Sequence, residues 1–167
     1  MPIVLERILV PTDFSDGSQS AMAYGVALVE EFGASLHLLH VLDEISGVDP
    51  IDLPLPSRKE VERKVEATAW TELRALLSPT EQSRVRAVLA LEWGTPSVEI
   101  LRYAKTHAID LIAMATRGRG GVQHLLIGSV AESVVRSAPC PVLTVRRSER
   151  QFVRPSMADE EAAEHSK

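Results

Sequence analysis

Short apolar runs and longer segments of helical spacing alternate along the chain. Five runs are short and rich in branched aliphatic residues, which predicts buried strands at residues 8–10, 36–42, 85–91, 109–115 and 141–145. Between them, apolar residues recur every three or four positions, which predicts amphipathic helices. We expect those helices at residues 16–32, from 58 to just before Pro79, from Pro96 to about 107, and from about 130 to 137.

Residues at the helix ends support these boundaries. Gly33 follows the first helix, and glycine is the residue that most often ends a helix. Thr95 precedes Pro96, which is the order of an N-cap and a first helical residue. Two further helices are expected to open with capping boxes, in which the first-named residue is the N-cap: Ser57 with Glu60, and Ser129 with Glu132.

Strands and helices alternate regularly from the first predicted strand to the last. Helical crossovers between successive strands imply a parallel sheet with helices on both faces. Residues 8–10 and 111–114 are apolar throughout, as expected for strands that are buried on both sides. The predicted fold is an open, doubly wound α/β domain with a five-stranded parallel sheet. In such folds ligands bind beyond the carboxyl ends of the strands, where the strand order reverses.

A segment rich in glycine and arginine follows the fourth predicted strand and ends where the last helix begins. Its glycines allow backbone N–H groups to approach a ligand closely. The first turn of the next helix offers unpaired N–H groups and the positive end of the helix dipole. Arg117 and Arg119 add positive charge. These features favour a phosphate-bearing ligand, but a tight surface loop with no ligand would have the same composition.

The same segment resembles the signature of the nucleotide-binding universal stress proteins, which is glycine, two residues, glycine, nine residues, glycine, then serine or threonine. Gly118 matches the second glycine, Gly128 the third and Ser129 the hydroxyl residue, whereas Ala115 replaces the first glycine. The resemblance extends from about residue 5 to residue 146. Its other landmarks are the opening strand and turn, the end of the second strand and the closing strand, at residues 8–15, 40–42 and 138–145.

The resemblance implies the strand order 3-2-1-4-5 and an adenine nucleotide as ligand: ATP, or ADP or AMP, with Mg²⁺ as a companion ion. It implies that Asp13 binds the adenosine part beside a pocket wall shaped by Pro11 and Thr12, and that the backbone of Val41 binds the adenine edge. An N-cap of the first helix is the alternative role of Asp13. The ribose and phosphates would be held by Ala115, Thr116, Arg117, Gly118, Arg119, Gly120, Gly121, Gly128, Ser129 and Val130.

Length, charge and cysteine content narrow the class of protein. The 167 residues suffice for one α/β domain at residues 1–147, followed by a polar tail at 148–167 that we expect to be mobile. A net charge of −5 disfavours nucleic acid as a partner. The single cysteine, Cys140, indicates a reducing compartment. Because no signal peptide pattern and no apolar stretch of about 20 residues is present, we expect a cytoplasmic protein that has no membrane partner.

The sequence favours binding over catalysis. It contains neither a Gly-x-Ser-x-Gly elbow nor a phosphate loop that ends in Gly-Lys-Ser/Thr. His37 and His40 lack the cysteine or carboxylate partners of a metal set, so we expect them to be packed or surface residues. The resemblance implies a nucleotide-sensing regulator in stress responses, with at most slow ATP hydrolysis.

Two other functions stay open at this stage. One is a dimer of the same fold that binds no nucleotide and acts as a protein-interaction scaffold. The other is a nucleotidyl transferase, although the His-x-Gly-His and Ser-Gly-Gly motifs of that class are missing. We expect a homodimer whether the protein binds a nucleotide or acts as a scaffold. The closing strand Val142–Val145 should lie at a sheet edge and can pair with its copy about a two-fold axis.

Overall fold

A five-stranded parallel sheet forms the centre of the molecule. The computed structural model describes residues 2–43, 58–117 and 127–146. Three predicted features lie outside these ranges: the loop at 43–56 except for its first residue, the cap at Ser57 and the polar tail. The strand order is β3-β2-β1-β4-β5, which confirms the predicted fold and order. The strands are β1 (Arg7–Pro11), β2 (Ser35–Leu42), β3 (Val88–Trp93), β4 (Leu111–Ala115) and β5 (Val142–Val145).

Helices cover both faces of the sheet, as the alternating order of elements predicts. They are α1 (Asp16–Phe32), α2 (Arg58–Ala75), α3 (Pro79–Arg84), α4 (Pro96–Thr106) and α5 (Ser129–Ser137). Ile8 faces a core cluster with α1 and α2, whereas Leu9 faces a cluster with α4 and α5, and both side chains are fully buried. In the described ranges, no helix combines the length and apolar character needed to cross a membrane.

Helix α1 lies close against β1 because Gly25 has no side chain. A Cβ atom on Gly25 would lie 2.5 Å from Cγ2 of Val10, so any larger residue would crowd this core side chain. The helix ends at Gly33 as predicted: φ is 65°, in the left-handed region, and its N–H donates to the carbonyl of Val29. These two glycines fix where α1 sits on the sheet and where it ends.

Several boundaries differ from the prediction by one to three residues, and the differences that change an assignment are these. A short helix, α3, begins at Pro79 and is capped by Ser78, which forms a capping box with Glu81. The apolar spacing indicates only that the preceding helix ends before Pro79. Strand β3 begins at Val88 instead of residue 85, since Val85 is the C-cap of α3 and is buried there. Ser129 is not the N-cap of α5. Gly128 occupies that position, with no side-chain cap, so the expected capping box is wrong.

Candidate functional site

A cleft of about 600 Å³ opens beyond the carboxyl ends of β1, β2 and β4. It lies where the strand order reverses, between β1 and β4, which is the position expected of a ligand site in this type of fold. The residues predicted from the sequence that line it are Pro11, Thr12, Asp13, Val41, Ala115, Thr116, Arg117, Gly128, Ser129 and Val130. Gly118, Arg119, Gly120 and Gly121 lie outside the described residues.

Other residues that the sequence did not single out also line the cleft. Leu42 is the last residue of β2 and Asp43 follows it, and this position at a strand end is the signal that could have identified them. The remainder lacks any local signal, because tertiary packing alone brings it to the cleft: Ser18, Leu39, His40, Pro96, Ile100, Met114 and Ala131.

The turn after β1 is held by a network around the buried residue Thr12. Its N–H donates to the carbonyl of Leu39 on β2 at 2.8 Å. Its hydroxyl oxygen accepts from the N–H of Phe14 at 3.1 Å and donates to the hydroxyl of Ser18 on α1 at 3.1 Å. Thr12 therefore connects β2, the turn and the first turn of α1 in one hydrogen-bonded unit.

Asp13 lines the cleft and organises the start of α1 without capping it. Its Oδ1 atom accepts from the N–H of Ser15 at 3.1 Å and from the hydroxyl of Ser15 at 2.6 Å. Ser15 is the N-cap, since its hydroxyl oxygen accepts from the N–H of Ser18. The alternative role of Asp13 as N-cap is thus taken by Ser15, and Asp13 orients that cap from the cleft side.

Phe14 carries backbone strain next to Asp13. Its φ of 62° lies in the left-handed region, which is unfavourable for a bulky residue. Its ring packs on the ring of His40 with centroids 4.3 Å apart, and Nδ1 of His40 is 2.7 Å from the carbonyl oxygen of Thr12. Such strain persists where surrounding contacts over-determine the conformation, and it concentrates at ligand sites.

The peptide groups of Val41 face the cleft side of β2. In a strand the backbone groups of successive residues point to opposite neighbours. The carbonyl of Leu39 accepts from Thr12 on the β1 side, whereas that of Leu42 accepts from Gly94 on the β3 side. The N–H and C=O of Val41 therefore point to the β1 side, beyond Pro11, where β1 has ended. One donor and one acceptor lie there side by side.

The start of α5 forms the opposite wall. The N–H of Gly128 donates to the carbonyl of Thr116 at 2.7 Å, and the helical ladder begins with the N–H of Glu132 donating to the carbonyl of Gly128 at 2.9 Å. The N–H groups of residues 129–131 precede that first helical bond and point out of the helix start. Together with the helix dipole they favour an anion. Arg117 lines the cleft near this wall.

Other titratable residues serve packing instead of the cleft. Nδ1 of His37 is 3.0 Å from the hydroxyl of Tyr103. Burial is the main cause that lowers the pKa of His37, and the charges of His107 and Arg7 lower it further. Burial raises the pKa of Cys140, which disfavours its reactive thiolate. Within the described ranges, no group of three or more His, Cys, Asp or Glu side chains could hold a metal ion.

Comparison with known proteins identifies the family. A sequence model of the universal stress protein family matches residues 5–146. The chain belongs to the universal stress protein family. Universal stress protein MJ0531 of Methanocaldococcus jannaschii is 32% identical in an alignment of 158 residues that covers 87% of this chain and 85% of that protein.

Solved universal stress proteins share the fold. UspA from Lactobacillus plantarum superposes with a TM-score of 0.72 at 28% identity, over 87% of this chain and 100% of that one. A universal stress protein in complex with cAMP superposes with a TM-score of 0.62 at 19% identity, over 87% and 100%. The resemblance drawn from the glycine-rich signature and the strand ends is therefore confirmed at the level of family and fold.

Proposed function

We propose that this universal stress protein binds an adenine nucleotide, ATP or its products ADP and AMP, in the cleft and acts as a nucleotide-sensing regulator. The observation that carries the proposal is the convergence of three kinds of group on one cleft. They are the backbone donor and acceptor of Val41, the carboxylate of Asp13 and the N–H groups at the start of α5. A base, a sugar and a phosphate need complementary groups of these kinds.

The base would bind at β2. The edge of adenine presents an acceptor nitrogen beside an amino donor, which matches the adjacent N–H and C=O of Val41. Leu39, Ile100 and Met114 supply apolar walls for the rings. Guanine presents a carbonyl where adenine has its amino group, so the same backbone pair would oppose it. We therefore expect the site to prefer adenine over guanine.

The sugar and phosphates would extend across the cleft toward α5. Asp13 is oriented by Ser15 and can accept from ribose hydroxyls, and a charged acceptor strengthens such bonds. The N–H groups of Ser129 and Val130 and the side chain of Arg117 favour the phosphates. Gly118, Arg119, Gly120 and Gly121 stay predicted phosphate contacts from the signature alone.

We further propose that the protein is a homodimer paired through β5. This strand lies at one end of the strand order and pairs with β4. The N–H of Ile112 donates to the carbonyl of Pro141, and that of Thr116 to the carbonyl of Val145. By alternation, the backbone groups of Val142 and Thr144 point away from β4, toward a partner strand.

The exposed edge of β5 also supports the scaffold function, in which a dimer of this fold works through protein contacts and binds no nucleotide. The two functions differ in one observable: a nucleotide-binding protein should carry bound nucleotide when purified, whereas the scaffold should carry none. The cytoplasm is the compartment we propose for either one, because the sequence has a single cysteine.

The deciding experiment is mass spectrometry of small molecules released when the purified protein is denatured, followed by calorimetric titration of the nucleotide-free protein. We expect co-released ATP, ADP or AMP, saturable binding of ATP, and binding of GTP at least tenfold weaker. A dimer that carries no nucleotide and gives no heat with ATP, ADP or AMP would support the scaffold function instead.

A further inference from the structure

Gly17, in the first turn of α1, lies close to Ala115 at the end of β4 and to Arg117. A Cβ atom on Gly17 would lie 2.9 Å from the carbonyl oxygen of Arg117 and 3.4 Å from the Cβ of Ala115. The first distance is shorter than a carbon and an oxygen tolerate, and the oxygen belongs to the backbone. Any side chain at residue 17 must therefore move the Arg117 peptide away from α1.

The methyl group of Ala115 points toward α1. Side chains of β4 alternate between the two faces: Met114 belongs to the core cluster with α4 and α5, whereas Ala115 packs against Ala21 and Tyr24 of α1. Ala115 stands where the signature has its first glycine. The extra carbon of this alanine is thus accommodated on the helix side of the strand, opposite a helix residue that has no side chain.

We infer that Gly17 is a positioning residue for the phosphate-binding wall, and that the pair Gly17 and Ala115 replaces the glycine that the signature places at the end of β4. The inference rests on the proposed nucleotide function. Glycine weakens a helix compared with alanine, so its place inside α1 is explained by this contact and not by helix formation. The small residue that allows close approach lies on the helix, and the strand end carries the methyl group.

The effect of Gly17 would reach the ligand through two peptide groups. The carbonyl of Thr116 accepts from the N–H of Gly128, the N-cap of α5. Displacing Arg117 displaces the neighbouring Thr116 peptide, and with it the start of α5. The position of the wall would thus depend on the space that Gly17 leaves beside Arg117.

The test compares Gly17→Ala with Gly25→Ala, two variants of helix α1. Calorimetry measures ATP binding and thermal unfolding measures stability. We expect Gly17→Ala to weaken ATP binding at least tenfold with Tm maintained. Gly25→Ala is the matched control. Its Cβ would collide with Val10 in the core, so it should lower Tm and leave the affinity of the folded protein unchanged.

A second measurement, made without nucleotide, separates this inference from the proposed function. In amide NMR spectra, Gly17→Ala should shift the signals of Thr116, Arg117 and Gly128, whereas Gly25→Ala should not. If the parent protein binds no ATP, the proposed function fails and these shifts alone test the contact. Unshifted amides at those three residues, or ATP binding by Gly17→Ala within twofold of the parent, would overturn the positioning role.

Discussion

The carbonyl oxygen of Thr116 accepts a hydrogen bond from the N–H of Gly128 at 2.7 Å, across the base of the glycine-rich segment. The N–H of Thr116 donates to the carbonyl of Val145, the last residue of β5, at 3.0 Å. Thr116 thus connects the end of β4 both to the start of α5 and to the edge strand β5. The position of the proposed phosphate-binding wall and that of the proposed dimer edge depend on the same backbone.

The first prediction concerns Gly128→Val. A Cβ atom at residue 128 would lie 3.3 Å from the carbonyl oxygen of Thr116, and the two methyl groups of valine would add to this crowding. We expect the dissociation constant for ATP to rise at least tenfold, about 1.4 kcal/mol, in calorimetry. Val130→Ala, which shortens a neighbouring side chain and keeps its N–H, is the control and should bind as the parent does. Equal affinity in both variants would remove the start of α5 from the site.

The second prediction separates two roles of Asp13. Asp13→Ala removes both the ligand carboxylate and the acceptor for Ser15, so it should weaken ATP binding at least tenfold and lower the free energy of unfolding by about 1 kcal/mol. Asp13→Asn keeps an oxygen for Ser15 and removes the charge, so we expect nearly parental stability and an affinity between those of the parent and Asp13→Ala. Calorimetry and thermal unfolding measure the two effects. An Asp13→Ala protein that binds ATP like the parent would contradict the ligand role.

The third prediction tests the proposed dimer through Thr144→Pro. The N–H of Thr144 points away from β4, so proline at this position spares the β4 ladder and removes a donor from the outer edge. We expect a dimer-to-monomer change in light scattering coupled to size exclusion. Thr144→Val keeps the N–H and should remain dimeric. A Thr144→Pro protein that elutes as a dimer would require another interface.

The fourth prediction concerns pH. Burial, with the charges of His107 and Arg7, lowers the pKa of His37 in the folded chain below its ordinary value of 6.5. As the pH falls below about 6.5 the unfolded chain takes up this proton and the folded chain resists it, so the free energy of unfolding decreases. His37→Gln cannot titrate, and its stability should fall less steeply.

Urea unfolding from pH 8 to pH 5 checks this difference in slope. Above about pH 7.5 the histidine is neutral in both states, so the curves of the parent and His37→Gln should run parallel there. Parallel curves over the whole range would show that His37 does not contribute to the acid dependence.

Hydrophobic spacing predicted most of the fold because the sheet buries nearly every position of its central strands. It failed at Val85, which is buried outside any strand, since a place in the core cluster beside Leu36 and Leu73 buries an apolar residue as well as a strand does. The helix signal for α3 was present in Ser78 and Glu81, but six residues are too few for helical spacing to appear. The N-cap of α5 was placed one residue too late, at Ser129, because Gly128 has no side chain to indicate its role.

The site was predictable where a strand end or a motif supplied a local signal, as for Asp13 and Ser129. The walls contributed by Ile100 and His40 were not predictable, since a helix and a neighbouring strand bring them to the cleft only after folding. The orientation of the Ala115 methyl group was also beyond the sequence. Only the position of α1 shows that this group faces Gly17.

The unequal lengths of β1 and β2 have an evolutionary consequence. β1 ends opposite Leu39 while β2 continues to Leu42. The end of β2 therefore presents to the cleft main-chain amides that every amino acid except proline provides. Mutational drift can exchange Val41 for isoleucine or threonine without erasing the donor and acceptor. The proposed base-binding surface can therefore be inherited through chain geometry alone, long after the side chains of distant descendants have diverged.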